Sequence, residues 1–285
     1  MPCRRCRPIA VAFGPLLLLS SLLAAGGAQA ADATDYLNQK LWVQIGAFRP
    51  SISSHIQVDR SNSGAAGTDL HLEDELGLAE HKTLGTLLVG ARFGDRWRAE
   101  FEYFSLKRSA DKTLLETEIV VDDTTFPVSA SVDSEFDSKV ARASVGYSFY
   151  KTDEAEAGAV AGLHVTRFKF VVEGLGNVDG STVAVRREEA AHTVPLPTIG
   201  VYGTYAFAPS WLASGRADAF AIDYKGHKGR LLNFQANVQY RFTGNFALGV
   251  GYRYDQYKLT ETRRDPRGEV RYTFQGPQVF IDAGF

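Results

Sequence analysis

Apolar and polar residues alternate along most of this chain, in ten segments. The first runs from about Leu41 to Val58, with Leu41, Val43, Ile45 and Ala47 on one face. In the second, about Leu84 to Phe93, Leu87, Val89, Ala91 and Phe93 share a face. After Gly94-Asp95-Arg96 the third sets Trp97, Ala99, Phe101 and Tyr103 against Arg98, Glu100 and Glu102. The fourth ends on Ala143, Val145, Tyr147 and Phe149, and the fifth carries Ala157, Ala159, Ala161, Leu163 and Val165. Ile199 to Phe207 and the stretch around Ser214, Arg216 and Asp218 make the sixth and seventh. The eighth is the most regular, with Leu232, Phe234, Ala236, Val238, Tyr240 and Phe242 opposite Asn233, Gln235, Asn237, Gln239 and Arg241. Phe246 to Asp255 and the final stretch to Phe285 complete the set. A period of two predicts strands with one face in apolar surroundings. In the final stretch the apolar positions are even from Val270 to Phe274 and odd from Val279 to Phe285. The change falls at Gly276-Pro277, which predicts a bulge or kink there.

The connections differ in length. Those after the second, fourth, sixth and eighth segments are a few residues each, whereas those after the first, third and fifth are long and polar. Short turns at one end and long loops at the other fit a transmembrane barrel with short periplasmic turns. After the first thirty residues there is no apolar run of about eighteen, the length of a spanning helix. A closed barrel is then the way to cross a membrane with every backbone group hydrogen-bonded. A secreted barrel with its apolar face inward alternates in the same way. The uncharged apolar faces, and aromatics such as Trp97, Tyr147, Trp211, Tyr240 and Phe246 near strand ends, favour the membrane. The expected fold is all-β, a single closed antiparallel transmembrane β-barrel of ten strands, with eight or twelve as alternatives. Twelve would require Leu114–Val121 and Val128–Phe136 to cross the bilayer. Glu116, Glu118, Asp122, Asp123 and Asp133 instead mark that pair as a hairpin above the membrane.

Arg4, Arg5 and Arg7, the apolar run through Leu16 to Leu19 and the Ala28-Gln29-Ala30 exit read as a secretory signal peptide over residues 1–30, with the barrel domain over 31–285. Both cysteines, Cys3 and Cys6, lie in that segment, so the mature chain is expected to form no disulfide and no thiolate metal site. Its charge is (31 − 3) − 33 = −5, which gives no electrostatic reason to bind nucleic acid.

On the polar faces Arg92, Arg98, Arg142, Arg216, Arg241 and Arg253 point into the lumen with Glu100, Glu102, Asp218 and Asp255. Two readings stand: a salt-bridge network that closes the lumen, or the lining of a narrow hydrophilic pore. Candidate chemistry is thin. His164-Val165-Thr166 offers a hydroxyl beside an imidazole, and Asp122-Asp123 a carboxylate pair, but neither has the third group a nucleophile or base needs. The expectation is a non-enzyme with no catalytic residues, metal or cofactor. His55, His71, His81, His192 and His227 read as exposed loop or rim residues without metal-site spacing. Asp69, Glu73, Asp74 and Glu75 read as a solvated acidic loop, with divalent-ion bridging to lipopolysaccharide phosphates as the alternative.

The terminal strand, with Val279, Ile281, Ala283 and Phe285, resembles the C-terminal strand of bacterial outer-membrane barrels, whose final Phe is part of the signal read by the barrel assembly machinery. Asp69 to Leu78, Gly229 to Leu232, Val238 to Phe242 and Gly249 to Tyr252 resemble segments of uncharacterised Gram-negative barrels. The chain is similar over most of its mature length to small Outer membrane protein A/W-type barrels. That resemblance implies a monomer in the cell outer membrane, exported through a cleaved signal peptide and in contact with outer-membrane lipid and lipopolysaccharide. It implies a barrel and no activity; the expected role is non-enzymatic, structural or surface-interacting. A porin-like narrow pore comes second, and a lipid A-modifying or proteolytic barrel third.

Overall fold

The computed structural model describes residues 33–59, 67–121, 124–128, 130–178, 181–190, 194–224, 227–261 and 268–285. The 1–30 segment and the Asp122-Asp123 pair lie outside them. A single 3-10 turn, Ala33–Asn38, precedes the first strand. The strands are β1 (Leu41–Phe48), β2 (Ser51–Val58), β3 (Leu70–His71), β4 (Leu84–Phe93), β5 (Trp97–Leu114), β6 (Ile119–Val121), β7 (Thr124–Phe126) and β8 (Ser131–Lys151). They continue with β9 (Ala155–Val178), β10 (Ser181–Ala190), β11 (Val194–Ala208), β12 (Trp211–Tyr224), β13 (His227–Arg241), β14 (Phe246–Glu261) and β15 (Gly268–Gly284).

Ten of these elements pair as neighbours in the order β1, β4, β5, β8, β9, β11, β12, β13, β14, β15, and β15 returns to β1. The sheet therefore closes with ten antiparallel walls. β2 prolongs the wall of β1 along β15, and β10 prolongs that of β11 along β9. β6 and β7 form a hairpin off the wall, but Ile119–Val121 pairs with Thr124–Phe126 and not with the expected Val128–Phe136 segment, whose residues from Ser131 on belong to β8. Ten walls close the barrel, so the twelve-strand alternative is excluded. The seam is closed by backbone bonds at Phe285. Its N–H donates to Leu41 O at 2.8 Å, and its carbonyl accepts from Leu41 N at 2.9 Å and Lys40 N at 2.6 Å. Deleting Phe285 removes all three, and heat-modifiable gel mobility is expected to report a lower folded yield. A full yield of protease-resistant barrel would contradict that.

Alternation persists along each wall, but the two faces exchange chemistry part-way up. On β5 the outward residues are Trp97, Ala99, Phe101 and Tyr103, then Ser105, Lys107 and Ser109. The inward ones are Arg98, Glu100 and Glu102, then Phe104 and Leu106. On β8 the outward series runs from Phe149 through Val145 and Ala141 to Lys139, Asp137 and Glu135, while Val140 and Phe136 turn inside. On β14 the exchange comes between Tyr254 and Gln256. Below this level the barrel is apolar outside and polar inside, as lipid requires. Above it the barrel is an ordinary water-exposed β-protein with an apolar core.

That core contains Phe48, Ile52, Phe104, Phe136, Phe168, Leu196, Tyr257, Tyr272 and Phe274 among others. Its rings meet at 5.0–6.3 Å, edge-on for Phe168 on Tyr272 and stacked for Tyr257 on Phe274, within the range of favourable aromatic contact.

The exchange of faces corrects the reading of the final strand. β15 pairs with β14 from Gly268 to Ala283 with no register shift, and its even-numbered residues point inward throughout. No bulge lies at Gly276-Pro277. Tyr272 and Phe274 are apolar because they face the core, and Val279 and Ile281 are apolar because they face lipid. The interruption is in the facing wall, between β1 and β2 at Arg49-Pro50. Gly276 is needed there: a Cβ would stand 2.5 Å from Arg49 O and 3.0 Å from Pro50 Cα.

Candidate functional site: the barrel interior

All ten residues placed in the lumen from sequence do point inward, and eight of them meet one another directly. The Glu102 carboxylate accepts from Arg253 at 2.6 and 2.9 Å, a two-pronged pair, and stands 2.8 Å from Arg142 Nη2. Arg142 also donates to Asp218 at 3.1 Å and to Asn233 at 3.3 Å. Arg216 donates to Asp218 at 2.7 Å and to Glu100 at 2.6 Å, and Glu100 pairs with Arg98 on its own strand. Arg253 further donates to Asp255 at 2.8 Å. Arg92 sits nearer the short turns and is clasped by Glu156, outside that set, at 2.9 and 2.7 Å. Arg241 lies with its guanidinium 5.6 Å from the Tyr36 ring.

Two acidic members escaped the sequence reading. Glu156 lies at the start of an alanine-rich strand beside the turn acids Asp153 and Glu154, where nothing distinguishes it. Asp282 is fully buried on the inward face opposite Gln44, among apolar neighbours in sequence. With them the spanning part of the interior holds six arginines and six carboxylates among the described residues, so its formal charge cancels. Buried charges are tolerable only when paired and hydrogen-bonded.

Aromatic groups fill what the charges leave. Arg98 is sandwiched between Trp42 at 4.8 Å and Tyr202 at 4.6 Å. Gly90 makes room for that indole: a Cβ there would fall 2.0 Å from a Trp42 ring atom. At the lower mouth the 3-10 turn contributes Tyr36 and Leu37, the latter 1% exposed. The remaining void, lined by Tyr36, Gln44, Arg98, Tyr202 and Arg216 among others, measures about 60 Å³. That is room for a few waters.

Residues 70–78 of the first long loop pack into the upper mouth. Leu70, Leu72, Leu76 and Leu78 are 0–2% exposed and belong to the upper core. Gly77 adopts φ +65°, which lets the two flanking leucines both turn inward. The expectation of a solvated acidic loop is therefore corrected. Glu73 reaches inward to pair with Arg108, itself 1% exposed, and accepts from Ser54 N at 2.9 Å. Asp69 accepts from Arg271 at 2.9 Å, and His71 N donates to Glu75. Acids and leucines alternate so that the chain between them can serve as a plug.

No family model matches the chain, and no curated protein does. Among solved structures it is similar to the outer membrane protease OmpT of Escherichia coli, at 12% identity over 86% of this chain and 97% of that one, with a TM-score of 0.53. It has the fold of a ten-stranded outer-membrane β-barrel. Neisserial surface protein A (14% identity, 86% and 97% coverage, TM-score 0.31) and the Pseudomonas putida toluene transporter TodX (10%, 86% and 90%, 0.33) also align. Scores at that level add nothing to the assignment, and at 12% identity the first shows shared architecture alone.

Of the residues weighed for catalysis, Asp122 and Asp123 lie outside the described residues. His164 and Thr166 are buried at the level where the faces exchange, 0% and 1% exposed. His164 Nε2 meets Tyr257 Oη at 2.6 Å, beneath the aromatic core and away from solvent. Of the histidines expected at exposed loops or the rim, His81 is exposed, His192 and the His227 side chain lie outside what is described, and His55 and His71 are half-buried and paired. His55 and His71 are directly opposed on β2 and β3, with ring centroids 3.8 Å apart and Asp69 beside them. Desolvation, then His71 and Arg271, hold His55 below the usual imidazole range.

Proposed function

We propose that this chain is an integral outer-membrane protein that neither conducts solutes nor catalyses a reaction, and that its working part is the external half. The observation that carries this reading is the filled interior: a turn at the lower mouth, a charge-balanced network in the span and an apolar core with a leucine plug above. A barrel packed in this way has its free surface on the long external walls. β5 and β8, β9 and β10, and β14 and β15 extend well above the exchange level. Surface interaction is the role such walls fit best. Outer-membrane lipid surrounds the belt, lipopolysaccharide meets the external rim, and the barrel assembly machinery inserts the chain. The closed seam leaves no wall edge for a second copy in the span, which fits a monomer.

Planar-bilayer recording tests the reading against its alternative, a narrow pore. Purified, folded protein is expected to give no discrete openings above the bare-bilayer baseline. Reproducible unitary conductance would overturn the closed-lumen reading. Deacylated lipid A or cleaved peptide substrate, produced by purified protein, would overturn the non-enzymatic one.

A further inference from the structure

Three residues that sequence spacing alone does not connect are assembled on the external surface by strand pairing. Asp69 and His71, two apart, fall on one face of the extended β3 segment, and His55 faces His71 across the ladder. Each offers one donor atom, and the three donors all lie within 4.8 Å of one another. We propose that His55, Asp69 and His71 form a binding site for a divalent transition metal of the zinc type. Two imidazoles and a carboxylate suit Zn²⁺, which takes nitrogen and oxygen donors at about 2.0–2.2 Å in a tetrahedron. Donor-to-donor edges in such a site are about 3.4 Å. His55 Nδ1 and Asp69 Oδ1 already stand at 3.8 Å.

The surroundings orient the donors. His55 Nδ1 is buried and has no hydrogen-bond partner, while its Nε2 lies 3.5 Å from Ser53 Oγ. The open nitrogen is thus the one turned toward Asp69. Arg271 donates to Asp69 Oδ2, which leaves Oδ1 to the metal. Asp74 Oδ2 lies 3.7 Å from His71 Nδ1, on the side where a carboxylate fixes an imidazole so that Nε2 ligates. Arg271 adds a positive charge near the site, but its Nε is paired to Glu269 at 2.7 Å. Three protein donors leave a fourth position for water or an external group. The metal would join β3, and with it the leucine plug, to the barrel wall. The site is in the external half and does not depend on the lumen being closed.

The test uses the full mature chain, without a polyhistidine tag, refolded in detergent and titrated with Zn²⁺ against a chromogenic chelator. One tight equivalent per chain is expected, and His71→Ala and Asp69→Asn should each weaken it by about tenfold or more. His81→Ala, whose ring meets Pro50 O instead, should leave it unchanged. Heat-modifiable mobility checks that every variant is folded. X-ray absorption at the zinc edge should show two imidazole ligands at about 2.0 Å. No stoichiometric binding, or binding equal in wild type and the His71→Ala, Asp69→Asn double variant, would overturn the site.

Discussion

Replacing Glu102 with Gln is expected to destabilise the folded barrel by about 3–5 kcal/mol, the cost of removing one partner from a buried ion pair. Glu102 holds Arg142 and Arg253 together, and both guanidiniums are 0–2% exposed. Asp218 and Asp255 remain to them, but each of those carboxylates already serves a further group: Arg216 for the first, Asn233 for the second. The loss should appear as a lower midpoint when the fraction of heat-modifiable barrel in vesicles is followed against urea. Glu269→Gln is the comparison, because its pairs with Lys258 and Arg271 are solvated and worth about 0–1 kcal/mol. Equal effects from the two substitutions would mean that Glu102 is not the junction described.

Phe234→Arg carries the second large effect. Phe234 is 48% exposed on the outward face of β13, within the lipid belt. An arginine facing lipid costs about 2–4 kcal/mol at the midplane and less toward the edges. The residue after it faces the other way. Gln235 lies between Arg216 and Arg253 in the ladder. An acid there gains two cations, so Gln235→Glu is expected to fold at close to the wild-type yield, whereas Gln235→Arg adds a third positive charge to a packed site. Similar damage from Phe234→Arg and Gln235→Glu would show that the two faces of β13 are assigned wrongly.

Much of this was legible in the sequence. The walls in the span alternate against lipid, which tolerates no charge, so Leu232 to Tyr240 announces both its period and its apolar face. Parity alone, however, says which face is apolar and not which way it points. At Gly276-Pro277 the apolar parity reverses because lipid gives way to core, and a bulge was the wrong inference from a strand that never leaves register. The plug was hidden for a related reason. Leu70, Leu72, Leu76 and Leu78 are interleaved with acids, and only the inward Arg108 explains why Glu73 belongs among buried groups. The His55, Asp69 and His71 cluster depends on a two-residue ladder between segments fifteen residues apart, which no local pattern encodes.

The level at which the faces exchange also acts as a waterline drawn on the protein. Lys107, Lys139, Lys258 and Arg271 stand on outward positions just above it, and Tyr103, Ala141, Tyr254 and Val279 on outward positions at or below it. Sliding the barrel inward by a few residues would push those cations into hydrocarbon. Sliding it outward would wet the aromatic belt. A bilayer of different thickness must therefore deform to meet this protein, since the barrel has no second depth at which both of its halves are solvated correctly.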